Sequence, residues 1–378
     1  ETFYHERGIY LEERTKALLV GVNLNNDPEF ETALKELESL AEACNMEVVG
    51  VETQNVSQIN TGVYVGTGRV EEIKAVAHMM GAEVIIFDNT LSPMQLRNLK
   101  DIIERPVFDR THLILQIFSS RARTREAQIQ VETARLQYEL PRLTGMGEIL
   151  SRQGGGSGGL SNKGAGEKKL ELDRRRIEKR ISELRKELDR IAKERETQRQ
   201  KRQGSGVPRV ALVGYTNAGK STLMNKLLDK YTRDASKKVL EKNMLFATLD
   251  TTVRRISMGG GRDFLLSDTV GFIHQLPTAL IKAFRSTLEE AREADLLLHV
   301  LDYSDESCRM QREVTDMTLK ELGAGDIPVI YVYNKADLVE TTDGGKLPRV
   351  IDHKIYMSAK TGEGIPELVE LIWNMCGK

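Results

Sequence analysis

The feature that most limits how this chain can fold is a glycine-rich loop between an apolar run and a helix-forming stretch. The run PRVALVG leads into Gly214-Tyr215-Thr216-Asn217-Ala218-Gly219-Lys220-Ser221, and STLMNKLLDK continues from Ser221. This is Gly-x4-Gly-Lys-Ser in the strand, loop and helix context of a phosphate-binding P-loop. Backbone N–H groups of such a loop and the N-terminus of its helix hold phosphate groups. The loop therefore predicts a parallel-sheet α/β domain that binds a nucleotide.

Two further short sequences supply what a γ-phosphate and its metal need. Asp268-Thr269-Val270-Gly271 follows the strand-like run RDFLLS, so the Asp268 carboxylate can hold Mg²⁺ through water and the Gly271 N–H can meet a γ-phosphate. Upstream lies Phe246-Ala247-Thr248-Leu249-Asp250, here named switch I, in which Thr248 can close over Mg²⁺. Lys220 offers a point charge to the β- and γ-phosphates, and the Ser221 hydroxyl can ligate the metal.

The sequence after the strand-like run IPVIYVY indicates which base is bound. There Asn334-Lys335-Ala336-Asp337 places a carboxylate that can accept from guanine N1–H and from the 2-amino group. Adenine has neither donor, so ATP would leave a desolvated carboxylate unpaired. Ser358-Ala359-Lys360 ends a later strand and is expected to meet guanine O6 and cover the base. The pattern predicts GTP.

The predicted nucleotide-binding set joins the P-loop, the start of its helix and three later loops. It comprises Gly214, Tyr215, Thr216, Asn217, Ala218, Gly219, Lys220, Ser221, Thr222, Phe246, Ala247, Thr248, Asp268, Gly271, Asn334, Lys335, Asp337, Ser358, Ala359 and Lys360. The predicted Mg²⁺ ligands are Ser221, Thr248 and, through water, Asp268. Each tetrapeptide recurs by chance, but their order and their places at strand ends favour a GTP site, since ligands of open α/β sheets bind there.

Alternation of β-like and helix-like runs also predicts a parallel-sheet α/β domain at the N-terminus. The strand-like runs are KALLVGV, MEVVGVE, AEVIIFD and PVFD, and the helices are expected from about Asp27, after Gly68 and from Ser92. Gly66-Thr67-Gly68-Arg69 could hold a second phosphate, but a plain turn is the favoured interpretation. The predicted domains are 1–120 (N-terminal α/β), 121–203 (helical) and 209–378 (P-loop).

Residues 121–203 are predicted to form an antiparallel pair of helices with a basic surface. Leucine and isoleucine recur at helical seam spacing, first at Ile129, Leu136, Leu140 and Leu143, then at Leu170, Ile177, Ile181, Leu184, Leu188 and Ile191. The connection 145–166 has nine glycines and is expected to be a mobile tip. With 22 lysines and arginines against 13 acidic residues, this region carries +9 while the whole chain carries −1. A polyanionic partner and an ordinary solvated coiled coil explain the charge equally well.

Nothing in the sequence predicts a membrane protein or a disulfide-stabilised one. Cys44, Cys308 and Cys376 lie far apart without metal-ligand spacing, which favours a reducing setting. No apolar run approaches the roughly 20 residues needed to cross a bilayer. A cytoplasmic protein without membrane insertion is expected.

The longer motifs resemble those of the HflX family of GTPases. The similarity is carried by DTVGFIHQLPTALIKAFRSTLEEAREADLLLHVLDYS, by GEKKLELDRRRI, and by VGTGRVEEI and FDNTLSPMQLRNLKDII near the N-terminus. The resemblance implies an N-terminal α/β domain, a two-helix linker and a GTPase domain. It also implies binding to the large ribosomal subunit and GTP-dependent splitting of stalled or idle ribosomes. The alternatives are a GTPase of large-subunit assembly and an rRNA-binding scaffold.

The catalytic group is left unknown by the sequence. Phe272 follows Gly271 where Ras-like enzymes place a water-orienting glutamine, so hydrolysis is expected to be slow and ribosome-dependent. Asn217 stands where potassium-activated GTPases ligate K⁺, which makes K⁺ a candidate second cofactor; an asparagine that merely caps the loop is as good an explanation. Asn217 and the backbone of Gly271 are therefore the only catalytic candidates.

Overall fold

A computed structural model describes residues 14–152, 160–203, 206–232, 245–246, 249, 252–274, 285–339 and 347–376. The chain divides into two compact units, residues 1–114 and 115–378. Both sheets are built largely from parallel strands with helices between them, so the predicted α/β fold class is confirmed.

The first unit is a parallel sheet wound with helices, as predicted. Its four described strands lie in the order β2-β1-β3-β4, every neighbouring pair parallel. The helix after β3 begins where the sequence indicates, because the Ser92 hydroxyl accepts from the Gln95 N–H and the Gln95 side chain accepts from the Ser92 N–H. The elements are β1 Thr15–Leu24, α1 Phe30–Ala43, β2 Met46–Val56, α2 Thr67–Met79, β3 Val84–Phe87, α3 Pro93–Ile103 and β4 Val107–Asp109.

A buried ion cluster fixes the carboxyl edge of this sheet. Arg110, 2% exposed, donates to the Asp88 carboxylate at 2.5 Å and pairs with the Glu36 carboxylate from α1. A buried guanidinium needs such partners, and removal of one would leave an uncompensated charge. Arg110 begins helix α4, Arg110–Arg121, which runs across the boundary between the two units.

Contacts of Arg69 within the first unit fix the start of α2. The Arg69 guanidinium pairs with Glu52 and, at 2.6 Å, with Glu72, and it donates to the Thr53 carbonyl at 3.0 Å. A Cβ added at Gly68 would meet nothing within 4 Å. Gly66 thus caps α2, Thr67 to Arg69 form its first turn, and the Arg69 cation there is already neutralised.

The second unit begins with the end of α4 and two long helices, α5 Arg125–Arg152 and α6 Leu160–Gln203. They run antiparallel, since Arg125 pairs with Glu187 at 3.0 Å whereas Glu132, further along α5, pairs with Arg180 at 2.8 Å. Ile129, Ile181 and Leu184 of the predicted seam are buried. Among the described helices, none combines the length and apolar content that crossing a bilayer would require.

The helices extend further into the glycine-rich connection than its composition predicts. α5 continues to Arg152 and α6 starts at Leu160, so helix covers much of 145–166, the connection that the sequence predicts to be a mobile tip. An interior glycine costs about 1 kcal/mol relative to alanine, and a helix that has already nucleated can absorb that cost. Residues 153–159, which remain between the helices, lie outside the described residues.

The rest of the second unit is a seven-stranded sheet, counted over the described residues, in the order β10-β11-β9-β8-β5-β7-β6. Its pairs are parallel except β6 with β7 and β10 with β11. The elements are β5 Arg209–Val213, α7 Lys220–Tyr231, β6 Thr252–Ser257, β7 Asp263–Asp268, α8 Arg285–Arg292, β8 Leu296–Asp302, α9 Cys308–Glu321, β9 Val329–Asn334, β10 Arg349–Ile351, β11 Lys354–Tyr356 and α10 Ile365–Cys376. Apolar clusters cover both faces, as a parallel sheet requires.

One buried titratable side chain interrupts the apolar face under α9. His299 in β8 is fully buried, with its Nδ1 3.2 Å from the Asp316 carboxylate and its ring 5.5 Å from that of Tyr331. Burial lowers the pKa of His299 below its ordinary 6.5, and the opposing attraction of Asp316 does not reverse this. The folded protein therefore holds a neutral imidazole here.

We expect His299 to weaken the fold in acid. The unfolded chain binds a proton near pH 6.5 that the folded chain resists, so stability falls as the pH drops through 6.5, by up to about 1.4 kcal/mol per pH unit. In His299→Gln this part of the loss between pH 7 and 5.5 should vanish in urea unfolding curves. His353→Gln, at an exposed position, is the matched control. An identical acid dependence in wild type and His299→Gln would contradict the assignment.

Candidate nucleotide site

The predicted loops gather at one edge of the sheet in the second unit. The P-loop leaves β5, an interior strand, and the later sequences leave the parallel strands β7, β9 and β11 at their carboxyl ends. Ligands of open α/β sheets bind at this edge, where the loops diverge. The fold thus brings the P-loop, Asp268 and Asn334 together from distant parts of the sequence.

Two glycines of the site allow approaches that a side chain would prevent. A Cβ on Gly219, whose φ is +96°, would lie 2.2 Å from the Asn334 side-chain nitrogen. A Cβ on Gly271 would lie 2.8 Å from Thr216 Cα and 3.1 Å from Lys220 Nζ. Real Cβ atoms essentially never come as close as 2.2 or 2.8 Å, so the two positions require glycine.

Asn334 ties three loops together. Its side-chain nitrogen donates to the Ala218 carbonyl in the P-loop, and its side-chain oxygen accepts from the Ala359 N–H, each at 2.8 Å. The side chain is 3% exposed, so both bonds are shielded from water. A buried amide that satisfies two loop backbones this way fixes their separation.

Lys220 is buried in the P-loop that it follows. Its ammonium donates to the carbonyls of Gly214 at 2.9 Å and Tyr215 at 2.7 Å. Burial lowers the pKa of Lys220 to about 8, and the Asp268 carboxylate acts in the opposite direction. An anion beside this ammonium would restore the charge that burial disfavours.

Ser221 and Asp268 form a pair of oxygen donors. The Ser221 hydroxyl donates to the Asp268 carboxylate at 3.0 Å, and Asp268, the last residue of β7, is fully buried. A hydroxyl and a carboxylate are hard oxygen ligands of the kind that Mg²⁺ prefers. The donor set therefore fits the predicted metal.

The segment after Asp268 is bound to the P-loop by its backbone. Phe272 donates its N–H to the Gly214 carbonyl at 3.1 Å and accepts from the Thr216 N–H at 2.8 Å. Its side chain is 2% exposed and packs in the apolar cluster under α8 and α9. The Tyr215 hydroxyl accepts from the His274 N–H at 2.6 Å and adds a third link. Phe272 is thus a core residue.

The base-side residues lie at the ends of β9 and β11. Asp337 sits in a 3-10 turn, Ala336–Leu338, with an exposed side chain. Lys335, at φ +60°, forms an ion pair of 2.6 Å with Asp302 at the end of β8. Ser358 and Ala359 are buried, while Lys360 is exposed. Asp302 was not singled out from the sequence, because its partner lies on another strand and no short motif contains both.

Switch I is described only in part. Phe246 is buried at 1% exposure and adopts φ +54°, and Leu249 is buried at 2%. Ala247 and Thr248, both in the predicted nucleotide-binding set, lie outside the described residues, as does Asp250.

Family models match most of the chain in three consecutive segments. Residues 31–119 match the GTP-binding GTPase N-terminal family, residues 121–202 the GTP-binding GTPase middle region, and residues 209–335 the 50S ribosome-binding GTPase family. Among solved structures, one described as the SsGBP and GDP complex is similar with a TM-score of 0.50 at 24% identity, covering 96% of this chain and 98% of that one. This likeness concerns the fold.

Curated relatives are similar over almost the whole length. GTPase HflX of Lacrimispora saccharolytica is 47% identical over 96% of this chain and 82% of the relative. GTPase HflX of Caldanaerobacter subterraneus is 44% identical over 95% and 80%, and that of Escherichia coli K12 is 41% identical over 94% and 82%. With the P-loop site and both flanking regions matched, the chain belongs to the HflX family of GTPases.

Proposed function

We propose that this GTPase binds the large ribosomal subunit through its helical hairpin and uses GTP to separate stalled or idle ribosomes in the cytoplasm. GTP binding and GTPase activity follow from family membership. The P-loop segment matches a family described as 50S ribosome-binding GTPases, which supports the choice of partner. The observation that carries the proposal is the charge distribution on α6.

The side of α6 that faces away from α5 carries a row of cations. Arg175, Lys179, Lys186, Arg190 and Lys193 recur at steps of four, seven, four and three residues and are all exposed. This spacing places them along one stripe, here named the basic stripe, about 27 Å long at 1.5 Å per residue. Leu172, Ser182 and Thr197 also lie on that side between 172 and 197, and the exposed Glu183 and Asp189 border it. The stripe is therefore a row of cations along one side of α6.

Other arginines of the hairpin serve its own packing. Arg125 and Arg180 each form two hydrogen bonds with a glutamate on the opposite helix, and Arg195 pairs with Glu126 at 2.7 Å. The charges that hold the helices together thus lie between them. Within the basic stripe, Arg175 pairs with Glu171 at 2.9 Å and Lys179 lies 4.0 Å from Glu183, both on α6 itself and at its exposed surface. Exposed pairs of this kind contribute little, so the stripe can exchange them for phosphates, and folded RNA recognised through its phosphates fits a linear row of cations.

The nucleotide roles follow from the site geometry. We assign the phosphates to the loop Gly214–Gly219, Lys220 and the Gly271 N–H, and the guanine to Asp337, Lys335 and Ser358-Ala359-Lys360. The Asn334 side chain already holds the P-loop and Ala359 in place, so it acts by keeping the two halves of the pocket at a fixed separation.

Ser221 and Asp268, with Thr248 of switch I, would hold Mg²⁺. When bound, the ion supplies positive charge that offsets the charge of the β- and γ-phosphates. The protein contributes a buried carboxylate at a strand end and a hydroxyl at the first turn of α7, already 3.0 Å apart. Lys220, whose ammonium lies within the P-loop, would supply a second positive charge.

Asp337→Asn tests the base assignment. An amide cannot accept from both N1–H and the 2-amino group but can donate to the additional oxygen of xanthine. GTP affinity should fall roughly a hundredfold or more, while xanthosine triphosphate should gain affinity. Titration with fluorescent analogues of both nucleotides measures this.

Asn334→Ala is the matched control for that experiment. It removes the tie between the two loops without changing the group assigned to the base, so both nucleotides should lose affinity by a similar factor. Unchanged GTP affinity in Asp337→Asn would remove Asp337 from the base site.

The triple variant Lys179→Glu, Lys186→Glu, Lys193→Glu tests the basic stripe. Ribosome binding should weaken strongly, and the slope of log affinity against log salt should become shallower by roughly two to three. The control, Arg309→Glu with Lys320→Glu and Lys354→Glu, makes the same charge change at exposed positions outside the hairpin. Equal weakening in both variants would show that net charge, not the stripe, governs binding.

Sedimentation distinguishes the proposal from its alternatives. With wild type and GTP, joined ribosomes should shift to free subunits, and the stripe variant should leave them joined. A GTPase of subunit assembly or an rRNA-binding scaffold would bind the large subunit without that shift, which would refute splitting while retaining the partner.

Hydrolysis should be slow in isolation and faster on the ribosome. The Phe272 side chain is buried and its N–H and carbonyl are bonded to the P-loop, so Phe272 cannot orient water. Asn217, exposed at φ +59° in the P-loop, is the predicted K⁺ ligand. Turnover is compared in K⁺ and Na⁺, each with and without large subunits. Equal rates in all four conditions would refute both expectations, and stimulation without a cation effect would refute K⁺ alone.

A further inference from the structure

One contact joins switch I to a helix that precedes the hairpin. The rings of Phe246 and Phe118 lie edge to face, with centroids 4.6 Å apart and planes at 88°. Each side chain is 1% exposed, and both belong to the second unit. Edge-to-face packing at this distance is a favoured aromatic arrangement, so the two rings specify each other's position.

The backbone of Phe246 shows that its surroundings determine its position. Its φ of +54° lies in the left-handed region, which is unfavourable for a bulky side chain and persists only where neighbours enforce it. Leu249, three residues later, is buried as well. The two described residues of switch I are therefore held by apolar side chains, and the ring of Phe118 is part of the surface that holds Phe246.

Phe118 comes from outside the sequence of the P-loop domain. It lies on α4, within the segment 31–119 that matches the N-terminal family model, whereas the P-loop segment begins at 209. α4 ends at Arg121, where the Phe118 carbonyl accepts from the Ala122 N–H, and α5 follows from Arg125. The helix that holds Phe246 is thus separated by only three residues from the first helix of the hairpin.

We propose that Phe118 is a positioning residue for switch I, which makes α4 a required part of the GTP-specific site. Phe246 precedes Thr248 by two residues, so fixing the Phe246 ring limits where Thr248 can reach. The inference rests on the proposed role of Thr248 in closing over Mg²⁺ and the γ-phosphate. GDP has no γ-phosphate to engage switch I, so loss of the Phe118 contact should affect GTP and leave GDP binding in place.

Phe118→Ala in the full chain tests this. GTP affinity and single-turnover hydrolysis should each fall about tenfold or more, while GDP affinity changes less than twofold. Phe118→Leu, which keeps an apolar side chain of intermediate size, should recover most of the loss. Ile117→Ala is the matched control, since Ile117 is equally buried on the same helix. Its GTP affinity, GDP affinity and single-turnover rate should equal those of wild type. Phe246→Leu changes the other ring of the contact and should also lower GTP affinity while leaving GDP affinity unchanged.

The outcomes separate this inference from the proposed role of Thr248. Equal effects of Phe118→Ala and Ile117→Ala, or equal losses of GTP and GDP, would show a general packing role and overturn the inference. If Thr248→Ala loses GTP selectively and Phe118→Ala does not, the inference is wrong and the role of Thr248 stands. If Thr248→Ala has no effect but Phe118→Ala still impairs GTP alone, positioning stands and another residue of switch I makes the contact.

Discussion

The nucleotide site depends on one buried amide. Asn334 ends β9, and its two bonds reach the P-loop after β5 and the loop after β11, although Ala218 is 116 residues away in sequence. Each such bond contributes about 1 kcal/mol net, but a partner left unsatisfied in a buried place costs about 1–3 kcal/mol. Gly219 is glycine for the same reason, since any Cβ there would occupy the space of the Asn334 side chain. The spacing of the pocket is set by these contacts before a nucleotide arrives.

The cations of the hairpin have two different roles, depending on which side of the helix they occupy. Cations that face the other helix pair with glutamates across the hairpin and fix the antiparallel register, whereas those of the basic stripe pair, where they do, only with exposed glutamates of α6 itself among the described residues. Exposed ion pairs contribute little stability each, so the apolar seam around Ile129, Ile181 and Leu184 carries most of the packing. Reversal of the outward charges should therefore alter binding without unfolding the hairpin.

The sequence predicted what depends on local pattern. Strands and helices of the first unit appear where alternation of β-like and helix-like runs places them, and the P-loop lies between a buried strand and a helix. Ser92 and Gln95 mark a helix start that side-chain chemistry alone indicates. The nucleotide-binding assignments that rest on Ala247 and Thr248 fall outside the described residues and stay predictions.

Long-range contacts could not be read in the same way. Nothing in the sequence pairs Lys335 with Asp302 or Phe118 with Phe246, because each pair joins elements whose proximity arises only from the packed fold. The glycine content of the connection predicts little helix there, yet α5 and α6 both extend into it. Composition reflects the helix propensity of single residues and not the cooperative extension of a helix that has already formed. Phe272 stands where Ras-like enzymes place a glutamine, and the structure adds what the sequence could not show, that its side chain lies in the core and its backbone binds the P-loop.

This last point constrains how the enzyme can work. A side chain packed between α8, α9 and the sheet cannot turn toward a water molecule without opening the apolar cluster that holds it. Its backbone bonds to Gly214 and Thr216 draw Gly271 so close to the P-loop that a Cβ would lie 3.1 Å from Lys220 Nζ. In the proposed site the γ-phosphate shares that space with Gly271, so its binding and the position of this segment would be coupled. A partner surface that moves the segment away from the P-loop would thereby act on the nucleotide.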